Sequence, residues 1–369
     1  MKALTVIVAS LAVVYIAYVV AEKIYHARLR KKLKKVIHVN GIRGKSTVAR
    51  LIDAGLRECG IRVYSKTTGT VPSVIDTNGT EKPIRRYAPA NIREQLSVLR
   101  AAVKENAEVL VVECMAVNPE LQYVCEHRIL HSDIVVITNV REDHLDEMGE
   151  TPESIAYSLA NTVPEGGTLV LGENDYVNIF ERVADKTGAK VVVADSFDGD
   201  PMDTFAENIA VALKVCETAG LERSTFLRGM KKYNRDPGAL AEFQYGDTVF
   251  INGFSINDPQ STLAVYDKIT KKYPAEETTV LLNCRGDRAF RVEQHIKMLT
   301  KMPCKKAIIT GSNRDYVKNR LMKEGIKAEN LKKYEDLIAE KYVFGCGNIA
   351  ADGMKIIRFF KENGEVQRG

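Results

Sequence analysis

Residues 3–21 (ALTVIVASLAVVYIAYVVA) carry no charged side chain, and this apolar run ends against EKIYHARLRKKLKK. As a helix rising 1.5 Å per residue, it spans about 28 Å, close to one bilayer core. A cleaved signal peptide would have a shorter apolar stretch and small residues before the cut. Here large residues and then basic ones follow. The pattern predicts a transmembrane anchor over 1–22 and a basic juxtamembrane segment over 23–35. Lys and Arg clustered after a single span place the rest of the chain in the cytoplasm, at the inner face of the cell membrane.

Beyond residue 35, short β-branched apolar runs alternate with helical patterns, the signature of an α/β fold with a largely parallel sheet. VIHV (36–39), EVLVVECM (108–115), DIVVITNV (133–140), TLVLG (168–172) and KVVVAD (190–195) read as strands. Residues 45–58, 92–106 and 203–218 read as helices. Turn residues cluster in NRDPGAL (234–240). The alternation then restarts with TVFING (248–253), TVLLNC (279–284), KAIITG (306–311) and YVFGCG (342–347). The expected architecture is an N-terminal transmembrane helix, then a P-loop-type ATPase domain with a mostly parallel sheet over 36–238. A smaller Rossmann-like α/β domain follows over 239–369.

Composition narrows the classes. The 369 residues are 45% hydrophobic and 27% charged, which is globular and ample for a core. Of the net charge of +5, the first 35 residues carry +7, leaving residues 36–369 at −2. A body without excess positive charge argues against nucleic-acid binding. The seven cysteines are odd in number, scattered and without a C-x-x-C pair, which suits reduced cytosolic thiols better than zinc or disulfides.

The candidate chemistry begins at HVNGIRGKST (38–47). A phosphate loop needs a buried strand, a glycine turn with inward amides, and a helix N-terminus that favours negative charge. VIHV supplies the strand, Asn40–Gly44 the turn, and Lys45, Ser46 and Thr47 open the helix. The lysine would reach the β- and γ-phosphates of ATP, and the hydroxyl would bind Mg²⁺. Asn40, Gly41, Arg43, Gly44, Lys45, Ser46 and Thr47 are thus the candidate nucleotide cradle. The spacing is unusual, however: two residues separate Gly41 from Gly44, where the standard loop has four between its glycines. Glu113 ends a very apolar strand, at the edge where parallel sheets place ligands. The next strand runs into TNVREDHLDEMG (138–149), with Asn139, Asp143, His144 and Asp146 in one polar loop.

Together, G-I-R-G-K-S-T, VVECM and TNV-x-x-DHLD resemble the hallmarks of the Mur ligase family of ATP-dependent amino-acid ligases. The resemblance implies that Glu113 and His144 are metal ligands alongside Ser46, with Lys45, Glu113 and His144 catalytic. It also implies that Asn139 lies in the nucleotide site and that Arg235 meets the nucleotide before the second domain. Asp143 and Asp146 are assigned supporting positions. Asn252, the stretch Asn257-Asp258-Pro259-Gln260-Ser261 and the loop Cys284-Arg285-Gly286-Asp287-Arg288 resemble fainter family elements. Many members carry a lysine on the helix after DHLD, whose carbamate bridges two metals. Residues 105–185 contain no lysine.

The loop starting just after a membrane anchor, with NGIRGKST and VVECMAVNPELQ, resembles the membrane-bound catalytic subunits of bacterial poly-γ-glutamate synthases. The implied function is ATP-dependent polymerisation of glutamate through an acyl phosphate. Implied partners are glutamate, the growing poly-γ-glutamate chain, small membrane subunits and, in some form, a homo-oligomer. Arg285, Arg288 and Arg314 are candidates for holding the anionic substrate by location. The alternatives are a folylpolyglutamate-synthase-like ligase, a membrane-linked P-loop kinase of capsule synthesis and a nucleotide-sensing adaptor. The kinase would have standard loop spacing and a tyrosine-rich tail, whereas the tail here is KENGEVQRG.

Overall fold

The computed structural model describes residues 2–86, 89–199, 205–236, 238–256, 258–285 and 289–367. Two compact units divide at Arg235–Asp236.

The first unit opens with one unbroken helix, α1 (Lys2–Arg30), whose residues 4–20 are exposed throughout. Its last two turns behave differently. His26 and Leu29 are buried, and Glu22 and Arg30 are half-buried, a spacing that puts all four on one helical face. The expected boundary at residue 22 is therefore no break in the helix.

The strands that follow are β1 (Lys35–Asn40), β2 (Val63–Thr67), β3 (Ser73–Ile75), β4 (Glu81–Pro83), β5 (Val109–Glu113), β6 (Ile134–Ile137), β7 (Thr168–Leu171) and β8 (Lys190–Val193). They form one sheet in the order β4-β3-β2-β5-β1-β6-β7-β8. β1 lies between β5 and β6, parallel to both. β3 pairs antiparallel with β2 and β4, so the sheet is mixed rather than wholly parallel. Hydrophobic clusters cover both faces, which explains the near-continuous apolar runs of β1, β5 and β6.

Between β1 and β2 lies α2 (Lys45–Glu58), which buries Val48, Leu51, Ile52 and Leu56 at helical spacing. It ends at Cys59, where Gly60 takes φ 77° and lets the chain turn back. Between β4 and β5 lies α3 (Glu94–Lys104).

The second unit holds β9 (Ala241–Tyr245), β10 (Thr248–Asn252), β11 (Thr278–Cys284), β12 (Lys306–Gly311), β13 (Ala328–Asn330), β14 (Tyr342–Gly347) and β15 (Glu365–Gln367). Their order is β13-β12-β11-β14-β10-β9-β15. The strands from β13 to β10 pair in parallel, while β9 runs antiparallel to both β10 and β15. Phe243, Phe250, Phe254 and Phe360 fill one face, with Phe250 and Phe360 stacked at 4.4 Å.

Candidate functional site

The site grows from the carboxyl end of β1. Asn40 closes the strand, and Gly41 turns the chain at φ 120°. A Cβ there would lie 2.2 Å from the Thr138 hydroxyl oxygen, so only glycine fits. Gly44 takes φ 80°, and a Cβ on it would meet the Asn208 side chain at 2.3 Å. The shortened loop is thus pinned between the start of the β6–β7 connection and the helix Ala206–Thr218.

Asn139 holds the loop on both sides of one residue, Arg43. The Arg43 N–H donates to Asn139 Oδ1 (2.9 Å), and Asn139 Nδ2 donates to the Arg43 carbonyl (3.1 Å). The Thr138 hydroxyl donates to the same carbonyl at 2.6 Å. The Arg43 guanidinium pairs with Asp143 at 2.9 Å. Lys45 Nζ donates to the carbonyls of Gly41 (2.8 Å) and Ile42 (3.2 Å). Burial pushes the Lys45 ammonium below its ordinary value, with the Glu113 carboxylate the largest opposing influence. Thr47 follows in the first turn of α2, half-buried.

Two distant motifs meet at Ser46. Its hydroxyl donates to Glu113 Oε2 at 2.9 Å, and the Thr68 N–H donates to the same oxygen at 2.6 Å. Glu113 is buried at the end of β5, directly beside β1. Adjacent hydroxyl and carboxylate oxygens match the hard oxygen donors that Mg²⁺ prefers.

His144 follows the Asp143 carboxylate that holds Arg43. The His144 N–H donates to Asp143 Oδ1 at 2.8 Å, and its Nε2 lies 3.7 Å from Asp143 Oδ2. Its backbone is left-handed, at φ 52°. A non-glycine residue held there marks a position where the surroundings impose the conformation. Among the described residues, Glu113 and His144 do not converge with a third His, Cys, Asp or Glu into a preformed metal cluster. Ser46 and Glu113 are therefore joined directly, and His144 is joined to Asp143.

Asn40 faces elsewhere. Its amide donates to Gln122 Oε1 (2.9 Å) and the Thr162 hydroxyl (3.3 Å) inside the buried layer. Its part at the loop is to fix the end of β1. Arg235 stands half-buried as the last residue of the first unit. In the second unit, Asn252 Nδ2 donates to the Gly238 and Ala239 carbonyls (3.4 and 3.1 Å). Asn257, Gly286, Asp287 and Arg288 lie outside the described residues. Sequence reasoning had passed over Thr68, Thr138 and Asn208. Each is an ordinary polar residue whose contact with the loop (Thr138, Asn208) or with Glu113 (Thr68) exists only through tertiary folding.

The compact loop, the strand-end carboxylate beside it and two α/β units define a Mur-type ligase. The Mur ligase middle domain matches residues 39–222, and the poly-gamma-glutamate synthase CapB C-terminal domain matches 239–363. The chain is 34% identical to PGA synthase CapB of Bacillus subtilis, over 89% of this chain and 91% of that protein. It is 32% identical to the capsule biosynthesis protein CapB of Bacillus anthracis, over 94% and 81%. The fold also matches a bifunctional folylpolyglutamate synthase/dihydrofolate synthase from Yersinia pestis, complexed with AMPPNP and Mn ion. That match has a TM-score of 0.66 at 16% identity, over 92% of this chain and 91% of the other. The chain belongs to the CapB family of poly-γ-glutamate synthases within the Mur ligases. It is an ATP-dependent amino-acid ligase.

Proposed function

We propose that the chain forms γ-glutamyl amide bonds from ATP and glutamate, extending poly-γ-glutamate at the cytoplasmic face of the membrane. The observation that carries this is the Ser46–Glu113 contact at 2.9 Å, which joins the phosphate loop to the strand-end carboxylate. A γ-carboxylate oxygen of the glutamyl substrate attacks the γ-phosphorus of ATP, the bond to ADP breaks, and an acyl phosphate forms. The α-amine of the next glutamate then attacks the acyl carbon, phosphate leaves, and the amine gives up a proton. Lys45 and the glycine-capped start of α2 stabilise charge on the transferring phosphoryl group. Ser46 and Glu113 would hold Mg²⁺, which would neutralise further phosphate charge, and His144 is proposed as a ligand of a second ion. His144 offers nitrogen where magnesium prefers oxygen. Thr47, Asn139 and Arg235 complete the proposed nucleotide set. Small membrane subunits and self-association are proposed as partners.

Glutamate-dependent ADP release, with the acyl phosphate trapped by hydroxylamine, tests the reading. Lys45→Ala, Glu113→Ala and His144→Ala are each expected to abolish both signals without unfolding the chain. ATP turnover that ignores glutamate and labels tyrosine would instead support the kinase alternative. Because membrane partners can be required, the assay is repeated after co-expression with the neighbouring membrane genes, reading polymer.

A further inference from the structure

We infer that the catalytic edge of the first unit opens onto the bilayer surface, so that the ligase site faces the membrane rather than the bulk cytoplasm. The inference rests on α1 being a membrane anchor. It follows from the way the last turns of α1 dock.

α3 starts at the catalytic edge. In its first turn, Gln95 Nε2 donates to the Glu113 carbonyl at 3.4 Å, and Glu94 pairs with Lys66 of β2 at 2.9 Å. α3 ends at Lys104, near the opposite edge, where β5 begins. The tail of α1 follows the same path in the same direction. Glu22 pairs with Arg93 at 2.6 Å, just before α3. His26 Nε2 lies 3.1 Å from the Arg100 guanidinium further along. Arg30 reaches Asp133 at 2.6 Å, and Asp133 also accepts the Val36 N–H where β1 starts. Leu29 and Leu33 share a core with Val98, Leu99, Ala102 and Leu130.

α1 therefore descends from the catalytic edge to the opposite edge, parallel to α3. Traced back from Glu22, the same unbroken helix leaves the unit at the catalytic edge. Its exposed apolar length can enter a bilayer only from that side. Lys23, Arg85 and Arg93 are exposed at that edge, which suits anionic headgroups. A docked helix, with no free linker, leaves the unit little freedom to turn over.

The chain has no tryptophan, so single substitutions report on their own positions. Ala90→Trp places the probe beside the start of α3, and Lys104→Trp places it at the far end, about 16 Å away along the helix. Both residues are exposed. The full chain is reconstituted in nanodiscs of phosphatidylcholine and phosphatidylglycerol, with and without bromines on the lipids. Strong quenching at Ala90→Trp with little at Lys104→Trp is the expected result. Quenching of Lys104→Trp alone, of both equally, or of neither overturns the orientation. Pro89→Trp and Arg62→Trp repeat the comparison if either first variant fails to fold. Flotation of the unmodified chain with vesicles tests the anchor separately, so a failed anchor and a failed orientation give different results. Loss of the glutamate-dependent reaction would bear on the proposed function and leave this result standing.

Discussion

The two units each run an inner strand into a buried asparagine, a glycine and then a helix, yet the helix starts are built differently. In the first unit, Asn40 and Gly41 lead to α2, whose N-terminal cap is Gly44, a residue with no side chain to bond the first amides. In the second, Asn252 and Gly253 lead to the helix Pro259–Ile269, where Asp258 Oδ1 accepts the Ser261 N–H at 2.8 Å. A helix start with its own carboxylate is already satisfied. A start that ends in glycine leaves its amides for an anion from outside. The same strand–turn–helix grammar therefore yields the proposed phosphate cradle in one unit and a structural joint in the other.

The sharpest way to break this contrast is to put a carboxylate where the first unit has none. Gly44→Asp adds a Cβ at φ 80° against Asn208 and an anion at the start of α2. Nucleotide binding by calorimetry and ATP turnover are expected to fall below detection. Retained turnover would mean that the amides of α2 are not what holds the phosphates.

The next effect lies behind the loop. His38 on β1 pairs with Glu126 at 2.9 Å, and both are fully buried. Glu126 also accepts the N–H and hydroxyl of Ser132. Removing one partner of such a pair typically costs about 3–5 kcal/mol. His38→Ala is expected to lose stability on that scale in urea denaturation, and a loss below about 1 kcal/mol would sink the idea that this pair braces the loop strand.

The pH profile separates the units more gently. Burial works against a charged His38, but the Cys114 and Cys125 sulfurs and the Glu126 carboxylate outweigh it and raise it well above 6.5. Its contribution is complete below about pH 6.5 and is lost as pH rises through the higher folded value. In the second unit, burial would raise Glu340, yet Lys305, Lys306 and Thr279 hold it at about 2 against an ordinary 4.5. That contribution is present above pH 4.5 and fades as pH falls through about 2. Hydrogen exchange resolved along the chain is expected to show alkaline loosening around β1 that His38→Ala removes, and no such step around β11. An equal alkaline step in both units would remove the distinction. The smallest effect is that of Asp258→Ala, about 1 kcal/mol in thermal unfolding with nucleotide affinity unchanged.

Where hydrophobic period and motif coincided, the elements were legible from the chain alone. α2 spans the anticipated 45–58, β5 and β6 lie within their apolar runs, and β1 extends its run by one residue at each end. β2 was missed because VYSKT looks polar. Lys66 is buried there only because Glu94 and Gln95 of α3 reach it. β9 and β15 were missed because AEFQY and EVQ are short and mixed, and they hold by pairing with each other. The loop motif was visible in full, but the direction of its side chains was not. The inward amide of Asn40 depends on Gln122 and Thr162, far away in sequence, and the clamp of Asn139 depends on Arg43. Local pattern identifies which residues gather, and tertiary contacts decide which way they point.

On the proposed function, Lys45 would keep the cradle in shape between turnovers. Its ammonium bridges the carbonyls of Gly41 and Ile42, so the positive charge acts as a placeholder. A ligand entering the loop competes with two internal acceptors rather than meeting an idle cation. Only a group that offers this lysine more than two neutral carbonyls can displace them, and charge-assisted bonds to phosphate oxygens do. On that reading, weak anions would be screened out by exchange, without any added barrier at the entrance.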